Sequence, residues 1–472
     1  MYFGLDVGSS SCKCAAFTQN GTLKAQFSLE YPITRGLNAE DLFSYVCEAI
    51  GGCARQIESK EEVNSITISS FGETFVPLRS DGSAITDFVI YTEVWGEREV
   101  ERLLNEVPDI GQIAGAKPSS LYALPKIMSL MRKCPEIEKE LWKFLQVADY
   151  IVYRLCGEAV IDHSLACRAM AYDVTNRCWS EKILNVAGLN AGHFSRPVDA
   201  GTVAGEIHNR IADTLGISRK TKIIIGPHDQ VAMALGAGVL KAGEAAVGTG
   251  SVECITPIFD RLRLEQHFID LNFVCIPHVV PDIYTTYAFT ASGGSLLSWY
   301  RNTFTPGQTY NQLNASCPRE PSNLMVIPHF SGSGTPELDR VATGKIIGFT
   351  LGTTLPDIYR AVLEGLCFEM RYNRDQLAEC GIEFGSLRAT GGGSRSDIWV
   401  QMKADILGIP VVPLAYAHAG VTGCAMLAAD SLAEAVKTFV KTKEPVYPNK
   451  SLSGYYNDKY EKYKELRSLK WR

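Results

Sequence analysis

Two well-separated stretches of this chain share one pattern, a strand, a turn of small residues and a second strand. The first runs through Phe3 to Val7, Gly8-Ser9-Ser10-Ser11 and Lys13 to Phe17; the second through Glu244 to Val247, Gly248-Thr249-Gly250-Ser251 and Val252 to Pro257. A chain that restarts on the same hairpin is expected to fold as two halves of similar architecture, with a ligand cleft between them. Its 472 residues also exceed what one hydrophobic core usually supports. The boundary is placed at Leu240 to Gly243, giving domains 1–240 and 241–472.

After the first hairpin an Asn20-Gly21 turn leads to a third extended piece. Leu42, Val46, Ala49, Ile50, Cys53 and Ile57 then recur at the spacing of one buried helix face. Ser65 to Ser69 reads as the next strand, and strands alternating with helices after an antiparallel meander imply an α/β domain with a mixed sheet. From Pro118 to Trp179 the pattern is mainly helical. Lys222 to Ile225 reads as a strand and Gln230 to Val239 as a helix. In the second half Leu324 to Pro328, Leu387 to Thr390 and Pro410 to Leu414 read as strands, and Ser396 to Leu407 as a helix.

A net charge of -6 gives no general attraction to nucleic acid or an anionic membrane. The one lysine-rich run, Lys459 to Lys470, reads as a solvated terminal helix. Fourteen scattered cysteines form no CxxC pair, so neither a zinc site nor a redox motif is expected. Cys12 and Cys14 are expected in opposite or edge environments of a strand, as small hydrophobes. The chain opens directly on a strand and no run reaches transmembrane length, which points to the cytoplasm.

Asp229 is the strongest single candidate for chemistry. It follows the β-branched run Ile223-Ile224-Ile225-Gly226-Pro227-His228 and precedes an Ala-rich helix. There a carboxylate suits an N-cap as well as a general base, its charge favoured by the helix dipole. Turns of Gly, Ser and Thr let backbone N–H groups approach phosphate oxygens. Neither hairpin is a Walker A loop or a Rossmann fingerprint, and either alone is also an ordinary turn. Asp6, just before the first turn, suits a Mg²⁺ ion with mostly water ligands, or a hydrogen bond to its own turn. A third glycine turn, Thr390 to Ser394, leads into a helix.

In this order the motifs resemble the FGGY family of carbohydrate kinases, which groups with actin and the heat-shock chaperones. Gly4 to Lys13 is similar to its first phosphate motif, Gly248-Thr249-Gly250 to its second, and Thr390 to Ser394 with Gln401 to Pro410 to its adenosine motif. Pro328 to Gly332, Gly344 to Gly352 and Tyr359 to Gly365 resemble its C-terminal signature region. The resemblance implies two ribonuclease H-like (actin-like ATPase) domains with mixed sheets, and ATP-dependent phosphorylation of a small sugar, a pentulose such as xylulose first. It implies Asp229 as general base, and Glu73, Gly72 and Gln230 at the sugar. It also implies Gly8, Ser9, Ser10, Lys13, Gly248, Thr249, Gly250, Gly294, Ser298, Gly391, Gly392, Gly393 and Asp397 at the nucleotide, and Asp6 with Asp229 at Mg²⁺. Glycerol kinases carry Arg-Glu and xylulokinases Met-His where this chain has Gly72-Glu73, so the sugar stays open among ketoses and polyols. Ser333-Gly334 also departs from the bulkier or charged residues of many relatives. A non-catalytic ATP-binding member of the superfamily is the alternative of another class. A homodimer is left open, and neither nucleic acid nor membrane is an expected partner.

Overall fold

The computed structural model describes residues 1–31, 37–58, 63–93, 95–416 and 418–469. In the first half β1 (Tyr2–Val7) and β2 (Ser11–Phe17) form the expected hairpin, and β3 (Leu23–Glu30) extends it antiparallel. The helix α1 (Ala39–Ala54) starts where the Asn38 side chain accepts from the Glu40 and Asp41 amides, and it buries the face the spacing indicated. β4 (Ser65–Ser70) then runs parallel to β1. The sheet is completed by β5 (Val203–Glu206) and β6 (Lys222–His228), in the order β5-β6-β4-β1-β2-β3. Every residue of β4 is buried, as is all of β6 beyond Lys222, because both faces of this parallel centre are covered.

The segment expected to be mainly helical does contain helices Ala123–Lys133 and Val147–Cys156. Between and after them lie short strands: Lys143–Gln146 pairs with Phe75–Leu78, and Val160–Asp162 with Arg196–Val198. Apolar runs this short carry no period that separates strand from helix. From β6 the chain enters α2 (Asp229–Gly236).

The second half repeats the plan. β7 (Ala245–Thr249) and β8 (Glu253–Phe259) form the second hairpin. They are followed by β9 (Ile276–Pro277), β10 (Tyr284–Thr285), β11 (Ala288–Thr290), α3 (Gly294–Phe304) and the long α4 (Leu355–Glu379). β12 (Leu387–Gly391) runs parallel to β7, as β4 does to β1, and α5 (Asp397–Leu407) leads to β13 (Val411–Pro413). The sheet order is β9-β10-β8-β7-β12-β13, with β11 also on β8. The chain then returns to the first sheet: α6 (Ala419–Met426) and α7 (Leu432–Phe439) form an apolar cluster with Ala15 and Phe17 of β2 and Leu235 of α2. The contact is backbone to backbone, since a Cβ added at Gly4, Gly236 or Gly423 would lie within about 2 Å of a carbonyl oxygen of the facing element.

Two expectations are corrected. Cys12 and Cys14 are both buried, and residues two apart in a strand share one face, so they point together into the core beside α1. The terminal helix α8 (Ser453–Ser468) is not solvated all round: Tyr456, Lys459, Tyr460 and Tyr463 are buried against α4, with Phe368 stacked on Tyr460 and Tyr463. Long lysine and tyrosine side chains bury their stems while keeping polar tips bonded, which disguises a packed face as a polar one. Lys470 lies outside the described residues.

Candidate active site

Pairing between β6 and β4 slips between Ile225 and His228, and Ser69 Oγ donates to the Pro227 carbonyl at 2.6 Å. This lifts the chain off the sheet just before Asp229. The helix cap is His228, not Asp229: its Nδ1 accepts from the Gln230 amide, and Asp229 is the first residue of α2. Burial, with the Arg168 charge adding to it, holds the His228 ring well below the usual histidine pKa. The ring is therefore neutral, with its proton on Nε2, and its 3.1 Å approach to Asp229 is not an ion pair. Asp229 Oδ1 is sealed with no partner, although the side chain as a whole keeps 28% of its surface open. The sequence expectation of a carboxylate favoured as the charged form is reversed here, because burial and then the Asp6 charge push Asp229 up to about 8.

Asp6 is the last residue but one of β1, directly opposite Lys13 of β2. Its Oδ1 is likewise buried without a partner, and burial raises its carboxyl while Lys13 lowers it. The start of α6 closes over it, since a Cβ on Gly420 would sit 2.9 Å from Asp6 Oδ2. In the turn itself Gly8 N donates to Ser11 O at 2.9 Å, Tyr31 donates to the Gly8 carbonyl at 2.5 Å, and the Ser9 hydroxyl meets Tyr91.

Glu73 and Gly72 lie in the turn after β4, as expected for one binding loop. Sequence reasoning missed what meets them. Arg168, only 2% exposed, bonds Glu73 Oε1 through Nε at 2.6 Å and through Nη2. Its guanidinium lies over Tyr122 at 4.9 Å and over Tyr287 of the second half at 5.4 Å. Tyr287 also stacks on His228. Lys126, fully buried, donates to the Leu121 carbonyl at 2.6 Å, and burial brings its ammonium down to about 8. Gln230 points toward the second half, where Thr256 Oγ1 approaches its Oε1 at 3.5 Å.

On the second half a cavity of about 500 Å³, within the range of nucleotide-sized sites, is lined by Thr249, Gly250, Gly294, Ser298, Gly392 and Gly393 together with Tyr310, Tyr359, Ser396 and Trp399. Of the residues expected at the nucleotide, Gly8, Ser9, Ser10 and Lys13 of the first hairpin do not line it, nor do Gly248, Gly391 and Asp397 of the second half. A Cβ on Gly391 would sit 2.5 Å from Thr249 O, so that glycine serves the packing of β12 on β7. Asp397 is exposed in the first turn of α5. The amides of Gly293 and Gly294 bond Ser251 O and Gly250 O, clamping the second hairpin to the head of α3. Beneath it, Thr249 Oγ1 and Lys403 Nζ, each at 2.8 Å, hold Glu253 Oε1.

Two family models cover most of the chain. The model of the N-terminal domain of the FGGY family of carbohydrate kinases matches residues 1–236, and that of its C-terminal domain residues 245–432. The chain is 25% identical to a xylulose kinase of Bacillus subtilis over 484 residues, covering 98% of this chain and 96% of that one. It is 26% identical to a gluconokinase of the same organism, covering 89% and 86%. Among solved structures, a ligand-bound xylulose kinase from Lactobacillus acidophilus superposes with a TM-score of 0.89 at 23% identity, covering 98% of this chain and 97% of that one. A Plasmodium falciparum glycerol kinase with ADP superposes at 0.87 and 16% identity, covering 99% and 98%. The chain thus has the two-domain, actin-like fold expected of the sequence.

Proposed function

The chain belongs to the FGGY family of carbohydrate kinases, and we propose that it transfers the terminal phosphoryl group of ATP to a hydroxyl of a pentulose of the xylulose kind. The observation carrying this reading is Asp229, a partly open carboxylate at the head of α2, with the first hairpin's Asp6 beside it and the second hairpin packed against the same helix through Met233. The full-length likeness to xylulose kinases supports the choice of sugar. Fourteen free cysteines fit a reducing, cytoplasmic setting, and no helix among the described residues is long and apolar enough to cross a membrane. The oligomeric state, a homodimer included, is read by sedimentation.

The chemistry follows from placement. The sugar hydroxyl gives its proton to Asp229 as its oxygen bonds the γ-phosphorus, and the bond from that phosphorus to the β-phosphate oxygen breaks to release ADP. Backbone amides of the Gly8 and Gly250 turns hold phosphate oxygens, and the cavity walled by Trp399 and Tyr359 receives the nucleoside. Asp6 and Asp229 suit Mg²⁺: each has a sealed oxygen without a partner, and their mutual repulsion calls for a cation. Among the described residues no three His, Cys, Asp or Glu side chains converge, so water and phosphate oxygens would complete the shell. When bound, such an ion neutralises charge on the transferring phosphates.

A coupled ADP assay against xylulose, ribulose, gluconate and glycerol tests the reading. Asp229→Ala is expected to lose roughly 10³-fold or more in kcat while still binding ATP. Near-normal turnover in that variant, or ADP release by the wild type that needs no added sugar, would refute it.

A further inference from the structure

We propose that Arg168, seated in the space that a side chain at position 72 would fill, acts with Glu73 as a donor and acceptor pair that reads two adjacent sugar hydroxyls and so sets which sugar is taken. The inference rests on the reading of this cleft as a sugar site. Gly72 does not use glycine's backbone freedom, since its φ lies outside the left-handed region. What its bare Cα does is admit the arginine: an added Cβ would lie 2.6 Å from Arg168 Cγ and 2.8 Å from Arg168 Cβ. Those atoms are the root of the side chain and cannot swing aside.

The pairing itself is lopsided. Arg–carboxylate bridges frequently use both oxygens in a fork, as Arg467 does with Glu337. Here Nε and Nη2 both go to Oε1, and Oε2 has no partner among the described residues. Glu73 keeps 8% of its surface open, and its charge, like that of Arg168, is felt by Asp229. The guanidinium has more N–H donors than Glu73 and the Tyr122 hydroxyl use. One hydroxyl of a vicinal diol can therefore donate to Oε2 while its neighbour accepts from Arg168. Tyr287 holds the guanidinium from the second half and stacks on His228, the residue before the proposed base. The diol reader and the base thus share one aromatic strut.

The test moves the arginine. Arg168→Gly is expected to raise KM for the best sugar about 10-fold or more, the loss of a charged hydrogen bond, with KM for ATP within about twofold. It is also expected to blunt discrimination between xylulose and ribulose, which differ in the configuration of one hydroxyl. The double variant Gly72→Arg/Arg168→Gly, which returns a guanidinium to Glu73 from the neighbouring position, is expected to bring the sugar KM back to within about threefold of wild type. An unchanged sugar KM in Arg168→Gly overturns the inference. So does a parallel rise in both KM values with a lowered Tm that the double variant does not relieve, which would mark an ion pair that only holds the fold. A wild type inactive toward every sugar overturns instead the kinase reading beneath it, an outcome told apart because it precedes any variant.

Discussion

Glu73 holds a left-handed backbone at φ 64, a conformation that costs a non-glycine residue roughly 1 kcal/mol. Such strain persists where the surroundings over-determine the residue, and here the determinant is the buried Arg168. Glu73→Ala keeps the Cβ and with it the strain, and it leaves a guanidinium buried without its counter-charge, at a cost of roughly 3 kcal/mol. That variant is expected to melt lower and to show a sugar KM raised far more than the ATP KM, read by thermal denaturation and steady-state kinetics; an equal effect on both constants would separate Glu73 from the sugar. At this scale the sequence was informative where chemistry is local. Glycine turns and the carboxylate before α2 announce themselves through their neighbours, whereas Arg168 sits in Ala-Cys-Arg-Ala-Met with nothing to mark it, because its partner belongs to a distant segment. The cap at α2 was misplaced for a similar reason. A histidine is not among the preferred caps, and only burial makes His228 a neutral acceptor.

Strands and helices with a clear period were legible, as α1 and both hairpins illustrate. The terminal helix α8 was not, because its inward face is built from tyrosine, lysine and arginine. Its anchor is Glu369 of α4, fully buried, which Arg467 of α8 meets at 2.9 Å and His329 at 3.1 Å. Burial opposes the Glu369 charge, but Arg467 and His329 outweigh it and hold the carboxyl down to about 2, against 4.5 for the free group. A carboxyl depressed in the fold stabilises it above the free value and loses that contribution as pH falls through the folded one. The α4–α8 contact is therefore expected to weaken between about pH 4.5 and pH 2 by a few kcal/mol, an order of magnitude set by the shift. Glu369→Gln is expected to flatten the pH dependence of Tm in that window; an unchanged slope would show that the anchor lies elsewhere.

The whole molecule is joined by α6, a helix that comes late in the chain yet lies on β1 and α2 of the first half. No sequence period announces such a return, since its contacts depend on bare glycine surfaces on three separate segments. A Cβ at Gly236 would meet the Ala419 carbonyl oxygen at 1.8 Å, and one at Gly423 the Ala232 carbonyl oxygen at 2.0 Å. Both obstacles are backbone, so the two helices would have to separate. α2 carries Asp229 at its head, and the head of α6 closes over Asp6 through Gly420. Forcing α2 and α6 apart therefore changes the spacing of the two carboxylates on which phosphoryl transfer depends. Gly236→Ala is expected to cost roughly 3 kcal/mol, the upper part of the overpacking range, although alanine is the better helix former by about 1 kcal/mol. Because the displacement reaches both carboxylates, kcat is expected to fall by about 10-fold or more at temperatures where the variant remains folded. Thermal melting and the coupled ADP assay on one preparation separate the two effects. A variant that melts higher than wild type would mean that propensity, not the close crossing, governs this joint.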